Sequence, residues 1–84
     1  GINDPATQAT QVADNLTAVL AEVGLEPSAV VSVRVYAINE DAAGSWAEVR
    51  KDLFPTNPPA STLVYVTGLA KPEFLLEVEA VASA

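Results

Sequence analysis

Apolar residues recur at helical spacing near the start of the chain, at Val12, Leu16, Val19, Leu20 and Val23. Such spacing is typical of an amphipathic helix. The preceding Asp4-Pro5 pair suits a helix start, because Asp caps the first amides and Pro fits the first turn. Gly24 suits the end of the same helix. The pattern therefore predicts a first helix over about Ala6–Val23.

A first strand is predicted over Ala29–Ile38, because this short segment is rich in β-branched residues. Alternation gives the strand one apolar face, formed by Val31, Val33, Val35 and Ala37. Its other face is mixed and holds Ser32, Arg34, Tyr36 and Ile38.

A second helix is predicted over about Ala42–Phe54, after turn and N-cap residues at 39–41. Its expected buried stripe consists of Trp46, Val49, Leu53 and Phe54. The prolines that follow end the helix and keep the chain extended up to the next strand. These prolines are Pro55, Pro58 and Pro59.

The C-terminal third predicts two further strands, Thr62–Thr67 and Phe74–Ala82, joined as a hairpin. The last strand has one wholly apolar face, formed by Leu76, Val78, Ala80 and Ala82. Its opposite face carries Glu77 and Glu79 in the middle of an apolar segment. These two carboxylates are either solvated or part of a site.

The order α-β-α-β-β, with two amphipathic helices over one face of a sheet, predicts a single α+β domain spanning residues 1–84. The mixed faces of the strands are expected to lie together. On this view Leu63 and Tyr65 share a face with Arg34, Tyr36 and Glu77. So many apolar groups need a second layer, which other subunits would supply.

Composition narrows the function classes. Half of the 84 residues are hydrophobic, which favours an oligomer because a domain this small is marginal alone. The sequence has no Cys and no His, so we expect neither a metal site nor a cofactor. The net charge of −7 opposes nucleic-acid binding. Without a membrane-length apolar run or an N-terminal basic region, we expect a cytoplasmic protein with no membrane contact.

Two long segments resemble the Rid family, also called YjgF, RidA-like or endoribonuclease L-PSP-like proteins. They are QATQVADNLTAVLAEVGLEPSAVVSVRVY and PPASTLVYVTGLAKPEFLLEVEAVA, and the resemblance covers essentially the whole chain. It implies a chorismate-mutase-like α+β fold, usually a homotrimer, with a small-molecule cleft at each subunit boundary. The activity it implies is hydrolysis of reactive enamines and imines to keto acids and ammonia.

The resemblance also implies positions for the family's functional residues. Active members clamp the substrate carboxylate with an arginine after a Pro-Ala pair, where this chain has Ser61. The family's asparagine on the second helix falls at Ala47, and its water-handling glutamate matches Glu77. The Ser-Gly element and the opening strands would precede Gly1. We therefore expect a domain truncated relative to the family, with its sheet completed by an upstream segment, a second chain or an exchanged neighbour.

The predicted catalytic residue is Glu77, and the predicted ligand-binding set is Ser61, Leu63, Tyr65, Arg34 and Tyr36. Each has an ordinary structural alternative. Glu77 either activates water or is an interface carboxylate, and Arg34 either replaces the missing clamp or pairs with Glu77 or Glu79. The two tyrosines either line a cleft or are ordinary interface aromatics. Ser61 is not expected to be a nucleophile, because no His or Lys is placed to activate it.

These features predict a RidA-like protein that binds a small metabolite in a cleft at the interface of a homotrimer, with very weak or no deaminase activity. Two alternatives stay open. One is an enamine or imine deaminase, acting on 2-iminobutanoate or 2-iminopropanoate with a rearranged site. The other is a non-catalytic assembly module.

Overall fold

The computed structural model describes residues 4–83. Its elements are α1 (Pro5–Glu22), β1 (Val30–Ala37), α2 (Glu40–Leu53), β2 (Ala60–Tyr65) and β3 (Leu76–Ala82), with a short 3-10 turn at Pro27–Ala29. Two helices pack on a three-stranded mixed sheet, so the predicted α+β class and element order are confirmed.

Local sequence signals set the bounds of α1. The Asp4 carboxylate accepts hydrogen bonds from the Thr7 amide at 3.2 Å and the Thr7 hydroxyl at 2.8 Å. These bonds lower the pKa of Asp4 below its usual value. At the other end Gly24 adopts a φ of 77°, a left-handed conformation that glycine tolerates best. The Leu25 amide then donates to the Leu20 carbonyl at 2.8 Å, which closes the last turn.

The second helix is capped in the same way. The Asn39 side chain accepts from the Ala42 amide at 2.9 Å, as the sequence predicts. Charge along α2 complements the helix dipole, with acidic and then basic residues in the terminal turns: Glu40, Asp41, Arg50 and Lys51.

The strand order is β2-β1-β3, with β1 parallel to β2 and antiparallel to β3. The hairpin predicted between the last two strands is therefore wrong, because β1 lies between them. Two physical reasons account for this. The connection over residues 66–75 is longer than an ordinary hairpin loop of about two to five residues. In addition, α2 provides the crossover that lets β1 and β2 pair in parallel.

The register of β2 corrects a second prediction. Side chains of paired residues share a face of a sheet, and the register pairs β1 with β2 as Val33 with Ser61, Val35 with Leu63 and Ala37 with Tyr65. Leu63 and Tyr65 therefore share the face that carries the core residues of β1, opposite Arg34 and Tyr36. The alternating pattern correctly divided the residues of β2 between two faces. However, the prediction placed Leu63 and Tyr65 on the open face of the sheet, whereas they lie on the face that packs on the helices.

A register shift in β1 corrects the placement of Val31. The antiparallel ladder pairs Val30 with Ala82 but Ser32 with Val81, so Val31 is an extra residue in the ladder. Such a bulge reverses the alternation on one side of it. Val30 is consequently buried, whereas Val31, predicted to face the core, is 52% exposed.

The core lies between the helices and the sheet. Its buried members are Ala9, Ala13, Leu20, Val30, Val33, Val35, Ala37, Ala42, Trp46, Phe54 and Leu76. The predicted stripe of α2 is confirmed, with Val49 and Leu53 packed against this core. On α1, Val19 and Val23 remain 59% and 70% exposed. No helix within residues 4–83 is long and apolar enough to cross a membrane.

Candidate ligand site

The predicted site residues are divided between the two faces of the sheet. The face that packs on the helices carries Ser61, Leu63 and Tyr65, and the open face carries Arg34, Tyr36 and Glu77. The strands that bear Ser61 and Glu77 flank β1, so their backbones lie about 10 Å apart. Within one chain these two side chains point away from each other and do not form one site.

A cleft lies between the end of α2 and the start of β2, and we call it the α2–β2 cleft. It has a volume of about 350 Å³ and is lined by Val33, Trp46, Arg50, Lys51, Phe54, Pro58, Pro59 and Ser61. Ser61 is brought here because its pairing with Val33 turns its side chain toward α2. The position at which the resemblance implies an arginine therefore opens into a cleft, with a small neutral hydroxyl in its place.

Two cations, Arg50 and Lys51, line the α2–β2 cleft, and none of its lining residues is acidic. Lys51 forms an exposed ion pair with Glu48 at 3.2 Å. Arg50 has no carboxylate oxygen within 4 Å among residues 4–83. The cleft thus has an anion-attracting wall in a protein whose net charge is −7.

Trp46 contributes a further donor to this region. Its side chain is 2% exposed and lines the cleft, yet its indole Nε1 has no hydrogen-bond partner in the part of the chain that the structure describes. A buried donor without a partner costs roughly 1–3 kcal/mol. Because Nε1 itself is buried, an acceptor in the cleft can bond to it only after the Trp46 side chain moves.

Ala47, where the resemblance implies an asparagine, is half-buried on α2. It does not line the α2–β2 cleft, and its methyl group offers no hydrogen bond. Ser61 and Ala47 therefore both stand at positions where the resemblance implies larger polar side chains.

The open face of the sheet carries a cross-strand set of polar residues. Arg34 lies opposite Glu79, and Tyr36 lies opposite Glu77. The neighbouring Tyr36 side chain and, to a lesser degree, the charge of Glu79 raise the pKa of Arg34. However, no carboxylate oxygen within residues 4–83 approaches Arg34 to 4 Å. Within residues 4–83 of one chain, Arg34 therefore forms no ion pair with Glu77 or Glu79, and all three side chains are exposed.

A second concavity, which we call the edge groove, runs between α1 and the outer edge of β3. It has a volume of about 660 Å³, and its lining is mainly apolar with a polar fringe: Gln8, Gln11, Val12, Asn15, Leu16, Val19, Glu73, Phe74, Leu76, Glu77 and Val78. Gln8 fixes one end of it, because its Nε2 donates to the Glu73 carbonyl at 2.7 Å and its Oε1 accepts from the Leu75 amide at 2.8 Å.

Strand β2 is exposed along all its residues. Leu63 and Tyr65 are 47% and 54% exposed, because α2 covers β1 and does not extend over β2. Val64 is also exposed, on the opposite face. Apolar groups therefore project from both faces of the same edge strand.

The cations of the α2–β2 cleft were not predicted from sequence. Arg50 and Lys51 occupy the last turn of a helix, where basic residues are common for dipole reasons alone. The available signal was the proline-rich connection, which folds back so that β2 starts beside the end of α2. The number of residues between α2 and β2 does not determine the direction in which this connection folds back.

The comparisons with known proteins agree with this architecture. Residues 2–84 match the family described as endoribonuclease L-PSP. The chain is similar to YyfA, a Rid-family protein of unknown function from Yersinia pestis, with 30% identity, a TM-score of 0.90, and coverage of 98% of this chain and 65% of that one. YyfB, from the same family and organism, is 34% identical with a TM-score of 0.82, covering 94% and 62%.

A Mycobacterium tuberculosis member of the YjgF/YER057c/UK114 family is 28% identical, with a TM-score of 0.78 and coverage of 84% of this chain and 60% of that one. This chain therefore spans less than two thirds of the length of each of these three solved relatives.

Proposed function

Because the chain belongs to the endoribonuclease L-PSP family, the Rid or YjgF proteins, we propose that it binds a small carboxylate metabolite in a cleft at a subunit interface. We propose further that it has little or no imine deaminase activity. The observation that carries this proposal is Ser61, a small neutral residue that lines the α2–β2 cleft where active members carry a substrate-clamping arginine.

The proposed interface is supported by the division of the site residues. A ligand that touches both Ser61 and Glu77 has to bridge two copies of the chain, since the two lie on opposite faces of one sheet. The exposed apolar residues of β2 supply a surface for such an association. We propose a homotrimer, the usual assembly that the family resemblance implies, in which β2 of one copy lies against a neighbour.

The edge groove supports the proposal that further strands complete the sheet. The outer edge of β3 has no strand partner within residues 4–83, and exposed edges are templates for pairing. Val19 of α1 and Phe74 stay exposed along this groove. An added strand on β3 would bury both of them. Its source is an upstream segment, a second polypeptide or an exchanged neighbour.

An imine deaminase with a rearranged site is the second candidate function, and the exposed carboxylate of Glu77 favours it. In that reaction water adds to the C=N carbon while Glu77 accepts a proton from it and passes that proton to the imine nitrogen, which gives the carbinolamine. The hydroxyl proton of the carbinolamine then moves to the nitrogen by way of Glu77, the C–N bond breaks, and ammonia leaves the keto acid. Ser61 contributes no charge to this step, so recognition of the substrate carboxylate needs another cation.

Ribonuclease activity, which the family description names, is not proposed for this chain. Its 84 residues carry a net charge of −7 and contain no His. RNA phosphates would be repelled, and the commonest general base for cleavage is missing.

An NMR titration with 2-oxobutanoate tests the proposed function. We expect saturable shifts of the Ser61 and Glu77 amides in the oligomer and their loss in a dissociated variant such as Tyr65→Asp. Saturable binding that is unchanged in a monomeric variant would contradict an interface cleft. Absence of binding by the wild-type protein would contradict the proposed function itself.

A further inference from the structure

We propose that Arg50 binds the ligand's carboxylate in the α2–β2 cleft, in place of the arginine that is absent at Ser61. The inference rests on the proposed function and assigns its carboxylate-binding residue. Positive charge is concentrated at this cleft. The chain has four cations against eleven acids, and two of the four line this one cleft.

The geometry places Arg50 and Ser61 on opposite walls. Arg50 lies in the last turn of α2, and Ser61 lies near the start of β2 on the face turned toward α2. The serine side chain is short, so the cleft between them stays open, at about 350 Å³. This volume falls at the lower end of the range of small-molecule pockets, about 300–1,000 Å³. A carboxylic acid of a few carbons fits it.

Arg50 rather than Lys51 suits the task for two reasons. Lys51 is already paired with Glu48 at 3.2 Å, whereas Arg50 has no ion pair among residues 4–83. Moreover, a guanidinium presents a planar fork that binds both oxygens of a carboxylate, which an ammonium does not.

Trp46 forms part of the cleft wall beside Arg50. Its Nε1 is a buried donor without a partner in the described part of the chain, so a ligand gains this donor only if the Trp46 side chain turns toward the cleft. A carboxylate held by Arg50 also offers acceptor oxygens to the Ser61 hydroxyl. Arg50 and Ser61 then hold a group for which the family resemblance implies an arginine on the strand.

The test is a comparison of dissociation constants for 2-oxobutanoate, measured by NMR titration on the intact oligomer. Arg50→Gln is expected to weaken binding about tenfold or more, since a charge-assisted bidentate contact is lost. Arg50→Lys should lie between Gln and wild type. Lys71→Gln is the matched control, because it removes the same charge from a residue that contacts Phe74 and does not line the cleft.

Two further measurements make the outcome decisive. Ser61→Arg should restore binding in the Arg50→Gln background, because it returns a guanidinium to the cleft from the opposite wall. Butanone, which lacks the carboxylate, should bind wild type and Arg50→Gln equally weakly.

Equal affinity of wild type, Arg50→Gln and Lys71→Gln for 2-oxobutanoate would overturn the role of Arg50 and leave the proposed function standing. An equal loss in Arg50→Gln and Lys71→Gln would also overturn it, because overall charge would then explain the effect. Absence of binding to the wild type would overturn both proposals.

Discussion

Ser61 and Glu77 lie on opposite faces of the same sheet, in strands that flank β1. Ser61 is paired with Val33, which is buried beneath the helices, and Glu77 is paired with Tyr36 on the open face. The arginine position and the glutamate position of the family are therefore separated within one chain. A site that used both positions would have to draw them from two copies of the chain, as in the interface cleft that we propose.

Ammonia release from 2-iminobutanoate is expected to be very weak or absent, because Arg50 holds the substrate carboxylate from α2 and no guanidinium holds it from position 61, where the family resemblance implies one. Ser61→Arg should raise release by about tenfold or more, since it adds a charge-assisted bidentate contact from β2. Thr62→Arg is the matched control, since it adds the same charge on the opposite face of β2. Strong release by the wild type that disappears in Glu77→Gln would show that the site is active after rearrangement.

The oligomer is expected to dissociate when a charge is placed on the exposed apolar surface of β2. Leu63→Asp would force a carboxylate into an apolar interface, where an unpaired charge is costly. Thr10→Asp, on the exposed surface of α1, should leave assembly unchanged. Sedimentation at micromolar concentration measures both variants. A folded wild-type monomer under these conditions would argue against the trimer.

Gln8→Ala should destabilise the fold by about 1–2 kcal/mol, because the Leu75 amide and the Glu73 carbonyl both lose a partner. Gln11→Ala is the control because, within residues 4–83, the Gln11 side chain donates only to Asn15, one turn along the same helix. Its effect should stay below about 0.5 kcal/mol. Urea unfolding of both variants gives the comparison, and equal losses would contradict a tethering role for Gln8.

Gly44→Ala should stabilise the protein by about 0.5–1 kcal/mol, because Gly44 lies inside α2 and an added Cβ meets no atom within 4 Å. Gly24→Ala should instead destabilise it by roughly 1 kcal/mol. A Cβ at Gly24 also meets nothing, but its φ of 77° disfavours alanine. Thermal unfolding of the two variants measures both changes in stability. Because neither added Cβ meets another atom, a difference between them reports the backbone conformation and not packing. A loss of stability in Gly44→Ala would indicate an interface at that position.

Acidification should weaken the start of α1 through Asp4. The Thr7 hydrogen bonds lower the folded pKa of Asp4 below the usual 3.8. The contribution of a group with a lowered pKa is complete above its unfolded pKa and is lost as the pH falls through its folded pKa. Asp4→Asn keeps the capping acceptor and removes this titration. When the pH is lowered below about 4, the thermal midpoint should therefore decrease more for wild type than for Asp4→Asn. If the midpoints of the two proteins decrease in parallel with pH, this role of Asp4 is refuted.

Much of the local structure follows from the sequence alone. Asp4, Gly24 and Asn39 bound the helices through hydrogen bonds and backbone conformations that involve only neighbouring residues. Period-two alternation also identified the core face of β3, where Leu76 is buried and Val78 is packed against the core. These features depend on interactions between residues a few positions apart, so they can be predicted from the sequence alone.

The arrangement of the strands depends on contacts that are distant in sequence. Alternation splits β2 into two sets, but only its pairing with β1 decides that Leu63 lies on the same face as Val35. In the same way, the bulge that exposes Val31 arises from its register with β3. The meeting of Arg50 with Ser61 across a cleft depends on how the proline-rich connection returns toward the sheet. The length of the connection does not determine this direction, because the direction is set by the packing of α2 against β1.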